Sequence, residues 1–125
     1  MQSQFTKSDY TGQNIYTGID VHLKSWNITI MMDSVYQRTF SQPPSPLALF
    51  KHLKANYPGA TYFSAYESGF SGFWAHYQLL ELGINSIVVN AADVPTTGKE
   101  KIQKDDSRDS RKIARCLKNG ELIPI

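Results

Sequence analysis

The chain is expected to adopt an α/β fold, a mixed five-stranded sheet flanked by helices, and two observations predict it. From Ile15 to Phe40 apolar residues alternate with polar ones, the period of strands. After Gln42-Pro43-Pro44 that period gives way to helical spacing that alternates with short apolar runs. A meander followed by βα units buries both faces of its sheet only when helices cover them. At 125 residues the chain is one domain, long enough for a core of its own.

Residues 1–13 are polar, rich in Ser, Gln and Thr, and without period, so a disordered or loosely held leader is expected there and the domain over 14–125. The run Ile15-Tyr16-Thr17-Gly18-Ile19-Asp20 reads as a short central strand. In Ser25 to Met32, residues Trp26, Ile28, Ile30 and Met32 alternate against polar partners, and Val35 to Phe40 alternates again after a Met-Asp-Ser turn. Ser45-Pro46 supplies an N-cap followed by proline at the first helical position. Leu47, Leu49, Phe50 and Leu53 continue that helix until Tyr57-Pro58-Gly59 ends it. Ala60 to Tyr66 is an aromatic-rich strand leading into Glu67. Gly69 and Gly72 form an elbow that lets the backbone approach a bulky partner closely, and Phe73 to Leu82 is a second helix stopped by Gly83. Ile84, Ile87, Val88 and Val89 make a further buried strand ending at Asn90. Residues 91–104 read as a mobile loop, and Asp106 to Asn119 as a third helix closed by Gly120. The resulting order, βββαβαβα, is that of the ribonuclease H fold, in which acids gather at one edge of the sheet.

Four acids stand in places that suit such a cluster. Asp20 ends the first central strand, where a carboxylate is costly unless it is paired, metal-bound or at a solvent edge. Glu67 ends the fourth strand, at the sheet edge where ligands of α/β proteins collect. Asp106 and Asp109 are three apart at the start of the last helix and share a face with Ile113 and Leu117. Asp105 rivals Asp106, because Asp105 and Asp109 also share a face, and Asp93 is a weaker rival. Each acid also has a plain structural role open to it: a turn, a surface position, or complementing a helix dipole. Together they suit divalent ions, whose paired sites stabilise both the attacking and the leaving oxygen of an in-line phosphoryl displacement. Mg²⁺ is the expected ion, with Mn²⁺ as an alternative. His22 could join this site, although a bystander role is commoner.

Net charge is only +2, but eight of the thirteen basic residues fall in the twenty residues from Lys99 to Lys118. Clustered charge attracts polyanions, nucleic acid above all, although a solvated helix face reads the same way. Lys101, Lys104 and Arg108 stand closest to the acids, with Arg111 and Arg115 following along the helix, as candidate phosphate contacts. Among the aromatics near Glu67, Phe70 is the candidate for stacking on a base. The single cysteine, Cys116, excludes a disulfide framework and reads as core filler. No run is long and apolar enough to span a membrane, and the first residues lack the layout of a signal peptide, so a cytoplasmic location is expected.

The blocks GIDVHLKSW, YESGFSGFW, LGINSIVVNAADVP and KDDSRDSRKIARCLKNGEL resemble the N-terminal RuvC-like domain of DEDD transposases, the insertion sequence 110 family. The likeness runs over about residues 15–125. It implies a ribonuclease H-like fold and Mg²⁺-dependent cleavage and rejoining of DNA strands, with Asp20, Glu67, Asp106 and Asp109 as the acids. It further implies a homo-oligomer, a structured guide-type RNA, and a C-terminal coiled coil and serine-bearing domain beyond this chain. Alone, the chain is expected to bind metal and show little or no recombinase activity. Lys104-Asp105-Asp106 departs from the family's Lys-Thr-Asp, and the spacing to Asp109 favours Asp106. Three other readings stand beside this one: a junction nuclease of the same fold, a non-catalytic assembly module, and an actin-like ATPase half-domain suggested by Gly18-Ile19-Asp20. The missing Gly-Thr pair after Asp20 and the small size argue against the last.

Overall fold

Alternation of buried and part-exposed residues along Asn14–Val21 makes this segment a strand, β1, and it lies at the centre of the sheet. The computed structural model describes residues 9–69, 72–94 and 106–125, with side chains in the last segment described from Asp109. After β1 come β2 (Trp26–Met32), β3 (Val35–Gln42), α1 (Pro46–Asn56), β4 (Thr61–Glu67), α2 (Trp74–Glu81), β5 (Asn85–Val89), a 3₁₀ turn (Ala91–Asp93) and α3 (Asp106–Asn119). The five strands form one sheet in the order β3-β2-β1-β4-β5. The β1–β2 and β2–β3 pairs are antiparallel, and β1–β4 and β4–β5 are parallel. The expected βββαβαβα order and mixed sheet are therefore present.

The two faces of the sheet are covered differently. One face carries Ile15, Ile19, Trp26, Ile28, Ile30, Tyr62, Tyr66 and Val88, packed against Leu49 and Leu53 of α1 and Ala75 and Leu79 of α2. The opposite face presents Gly18, Thr29 and Ala65, and α3 lies across it with Ile113 and Ala114 buried. Proline at the start of α1 and the Ser45 hydroxyl, which accepts from the Ala48 N–H at 3.1 Å, begin that helix as expected. Gly83 and Gly120 follow α2 and α3 with left-handed φ of 92° and 72°, the conformation that stops a helix.

Residues 9–13, expected within a disordered leader, are instead held. The Tyr10 N–H donates to the Pro58 carbonyl at 2.8 Å, and the Tyr10 ring packs edge-on to Tyr57 at 5.4 Å. The Thr61 N–H donates to the Gln13 carbonyl at 3.0 Å. A single tyrosine thus gives this polar stretch an apolar anchor against the end of α1. The rest of the expected leader, residues 1–8, lies outside the described residues.

The segment after β5 also differs from the expected mobile loop at its start. Ala91–Asp93 forms a 3₁₀ turn, and Val94 is buried with Val89 and Cys116. The remainder of that loop, 95–104, lies outside the described residues. Past α3, Pro124 bridges to Val89 and the Ile125 N–H donates to the Val88 carbonyl at 2.8 Å, which covers part of the edge of β5. Cys116 is core filler as expected, and burial pushes its thiol above the usual range, away from thiolate reactivity.

Candidate carboxylate site

Gly18 decides where α3 lies. A Cβ on this residue would overlap the backbone carbonyl of Ser110 and the backbone nitrogen of Ala114, so the helix rests directly on β1. The contact is backbone against backbone, which only a residue without a side chain permits. Beside it, the buried Thr29 hydroxyl bonds both the Ser110 hydroxyl and the Thr39 hydroxyl, each at 2.8 Å. On the outer side, the Arg111 guanidinium sits 4.8 Å from the Tyr36 ring centroid and donates to the Tyr36 hydroxyl at 3.2 Å. These contacts tie α3 to β1, β2 and β3. Replacing Thr29 by valine keeps its shape and leaves the buried Ser110 hydroxyl without this partner. We expect a loss of about 1–3 kcal/mol, read from the urea midpoint of unfolding.

Strands β1 and β4 carry the first two acids to the same edge. Gly18 is paired with Ala65 and Ile19 with Tyr66, where the β1–β4 register ends, and Asp20 and Glu67 are the next residue of each strand, both on the α3 face by alternation. Adjacent strands are about 4.8 Å apart, well within reach of both carboxylates to one ion. The Asp20 side chain is only 17% exposed, and its Oδ2 meets His22 Nε2 at 3.0 Å, so His22 does adjoin the acid. Burial raises the Glu67 carboxyl above its usual range, the Lys112 ammonium partly opposes this, and the Asp109 carboxylate adds to it. Asp109, on the N-terminal turns of α3, is thus felt at the end of β4.

Not every expected residue is described. Asp106 is the first residue of α3, and its side chain and that of Arg108 lie outside the described residues. Lys101, Lys104, Asp105 and Phe70 lie outside them altogether. Arg111 and Arg115 are exposed on α3, while Asp93 sits exposed in the 3₁₀ turn after β5. Among the described residues, no three His, Cys, Asp or Glu side chains stand together as a metal cage. The donor types present are carboxylate oxygens, which suit a hard divalent cation.

The close backbone contact within the chain itself was not foreseen: it falls at Gly18. A Cβ at Gly69 or Gly72 would meet nothing within 4 Å, whereas Gly18 is the tight one. A glycine inside a buried strand was the available signal. Lys112 and Ser110 were also missed, because helical spacing shows which residues share a face but not which strand end they face.

No family model matches the chain. In sequence it is similar to a protein of Sinorhizobium fredii (strain NBRC 101917 / NGR234) named "Putative transposase y4rJ", 37% identical over 83 residues. That match covers 60% of this chain and 21% of the relative, so the chain spans about a fifth of the relative's length. In structure it is similar to RuvC of Thermus thermophilus, with a TM-score of 0.59 and 12% identity over 89% of this chain and 99% of that one. The same values describe its likeness to T. thermophilus RuvC in complex with a Holliday junction substrate. The chain thus has the ribonuclease H-like fold that RuvC also has, and it is similar in sequence to a protein named as a transposase.

Proposed function

We propose that this chain is the strand-cleaving domain of a DNA transposase, working with divalent metal held by Asp20, Glu67, Asp106 and Asp109. The observation that carries this reading is the meeting of three elements at one edge. Asp20 and Glu67 each follow the last paired residues of β1 and β4, and Asp109 on α3 is close enough to disfavour ionisation of Glu67. Acids crowded this way repel one another, and a cation relieves the repulsion. Bound there, Mg²⁺ or Mn²⁺ would polarise a phosphodiester and stabilise charge on the attacking and leaving oxygens. The protein's own part is to hold the acids in register, with α3 seated on Gly18, and to offer Arg111 and Arg115 to the nucleic-acid backbone from the same helix. Lys101, Lys104 and Arg108 extend that basic surface in the sequence.

The likeness to a transposase supports DNA as the partner. A homo-oligomer and a structured guide-type RNA are finer proposals that rest on the resemblance in sequence blocks. Among the described residues no helix is long and apolar enough to cross a membrane, which is compatible with the expected cytoplasmic location. A junction nuclease using the same acids is the second reading, favoured by the fold shared with RuvC. Preference for four-way junctions over linear duplex would select it.

Calorimetric titration of Mn²⁺ into the chain, beside an Asp20→Asn, Asp109→Asn double variant, tests the metal site. Saturable binding by the wild-type chain that falls about 100-fold or more in the double variant is expected. Equal binding by the two would sink the reading.

A further inference from the structure

Asp20, Glu67 and Asp109 do not exhaust the oxygens near this edge. Asn27 on β2 is the cross-strand partner of Asp20 on β1. Alternation places it with Thr29 on the face beneath α3, two residues nearer the acidic edge. Its side-chain Oδ1 is buried and has no hydrogen-bond partner. A buried carbonyl oxygen left unpaired opposes folding, and such atoms call for an explanation.

The position of this atom supplies one. Among the described residues, the other buried side-chain atoms without partners are Thr17 Oγ1, Trp26 Nε1, His52 Nε2 and Ser64 Oγ. The strand residues among them belong to the opposite face, with Ile15, Ile19, Tyr62 and Tyr66, and His52 lies on α1, which covers that face. Among these described atoms, Asn27 Oδ1 is the one on the α3 side, on the strand next to Asp20 and directly opposite it. An amide oxygen is a hard, neutral ligand of the kind Mg²⁺ and Mn²⁺ accept. It adds a donor without adding to the repulsion among Asp20, Glu67 and Asp109.

We propose that Asn27 Oδ1 is a ligand of the divalent ion at this edge, placed by β2 beside Asp20. The proposal rests on the carboxylate-site reading and deepens it. Asn27 contributes an oxygen that is unsatisfied without the ion and satisfied with it. Its amide is therefore a determinant of metal affinity more than of folding.

The test compares Mn²⁺ affinity by calorimetry, and thermal midpoints in chelator, for wild type, Asn27→Leu, Asn27→Asp and Asp20→Asn. Leucine matches asparagine in shape and removes the unpaired oxygen. For Asn27→Leu we expect Mn²⁺ affinity to fall on the order of 10–100-fold while the midpoint in chelator holds or rises. Asn27→Asp, which restores an oxygen donor, should bind Mn²⁺ at least as tightly as wild type. If Asp20→Asn abolishes binding and Asn27→Leu leaves it unchanged, the Asn27 assignment is overturned and the carboxylate site stands. If Asn27→Leu loses affinity together with its midpoint in chelator, the residue is structural and the assignment again fails. Absence of Mn²⁺ binding by the wild type overturns both.

Discussion

Gly18→Ala should be among the most damaging single-methyl substitutions in this chain. The added Cβ meets the backbone of Ser110 and Ala114, and backbone cannot rotate away as a side chain can. The helix must lift from β1, which strains the Thr29–Ser110 hydrogen bond and the packing of Ile113 and Ala114. Overpacking of a tight core costs about 1–3 kcal/mol, and a clash with two backbone segments belongs at or beyond the upper end. We expect the urea midpoint to fall accordingly, and any fraction that folds to bind Mn²⁺ weakly, since lifting α3 carries Asp109 away from Glu67. Gly69→Ala is the matched control. A Cβ there meets nothing, so its effect should stay within about 0.5 kcal/mol. Equal stability of the two variants would mean that α3 is not seated on β1 in this way.

The contrast between these glycines shows what the sequence could and could not tell. Alternation in Trp26, Ile28 and Ile30 and the Ser45-Pro46 start of α1 were legible because periodicity and capping are local. Asp20 and Glu67 could be suspected as a pair because both were expected at strand ends, and each follows directly on Ile19↔Tyr66, the last pair of the parallel β1–β4 register. What was hidden depends on contacts between elements distant in sequence. Gly18 meets residues more than ninety positions away, and Thr29 bonds Ser110 across 81 positions. The same holds for Asn27, whose place beside Asp20 follows from the β1–β2 register and not from any spacing. Tyr10 shows the opposite error, because a polar composition concealed one well-placed aromatic anchor.

Glu67→Gln should strengthen the fold without metal and weaken the protein with it. In the folded chain the Glu67 carboxyl titrates above its ordinary value of 4.5, because burial and the Asp109 charge outweigh the help of Lys112. Between the ordinary and the raised value the folded state binds more protons than the unfolded one, so stability falls as pH rises through that window. Above it the loss persists in full. Glutamine has no proton to lose, so in chelator near neutral pH Glu67→Gln should unfold at a higher midpoint than wild type. Part of the side chain remains in water, and the gain should stay below about 1 kcal/mol. The difference should shrink toward zero below about pH 4, where the wild-type carboxyl is protonated in both states. Mn²⁺ should reverse the order. A ligand at a hundred times its dissociation constant stabilises a folded chain by about 2.7 kcal/mol, which exceeds the gain from glutamine. Wild type should collect that stabilisation, and Glu67→Gln, with one carboxylate fewer, should collect little of it. A variant less stable than wild type in chelator would mean that Glu67 is satisfied by the fold itself. The crossing of the two midpoints on adding Mn²⁺ separates a carboxylate kept for a cation from one kept for structure.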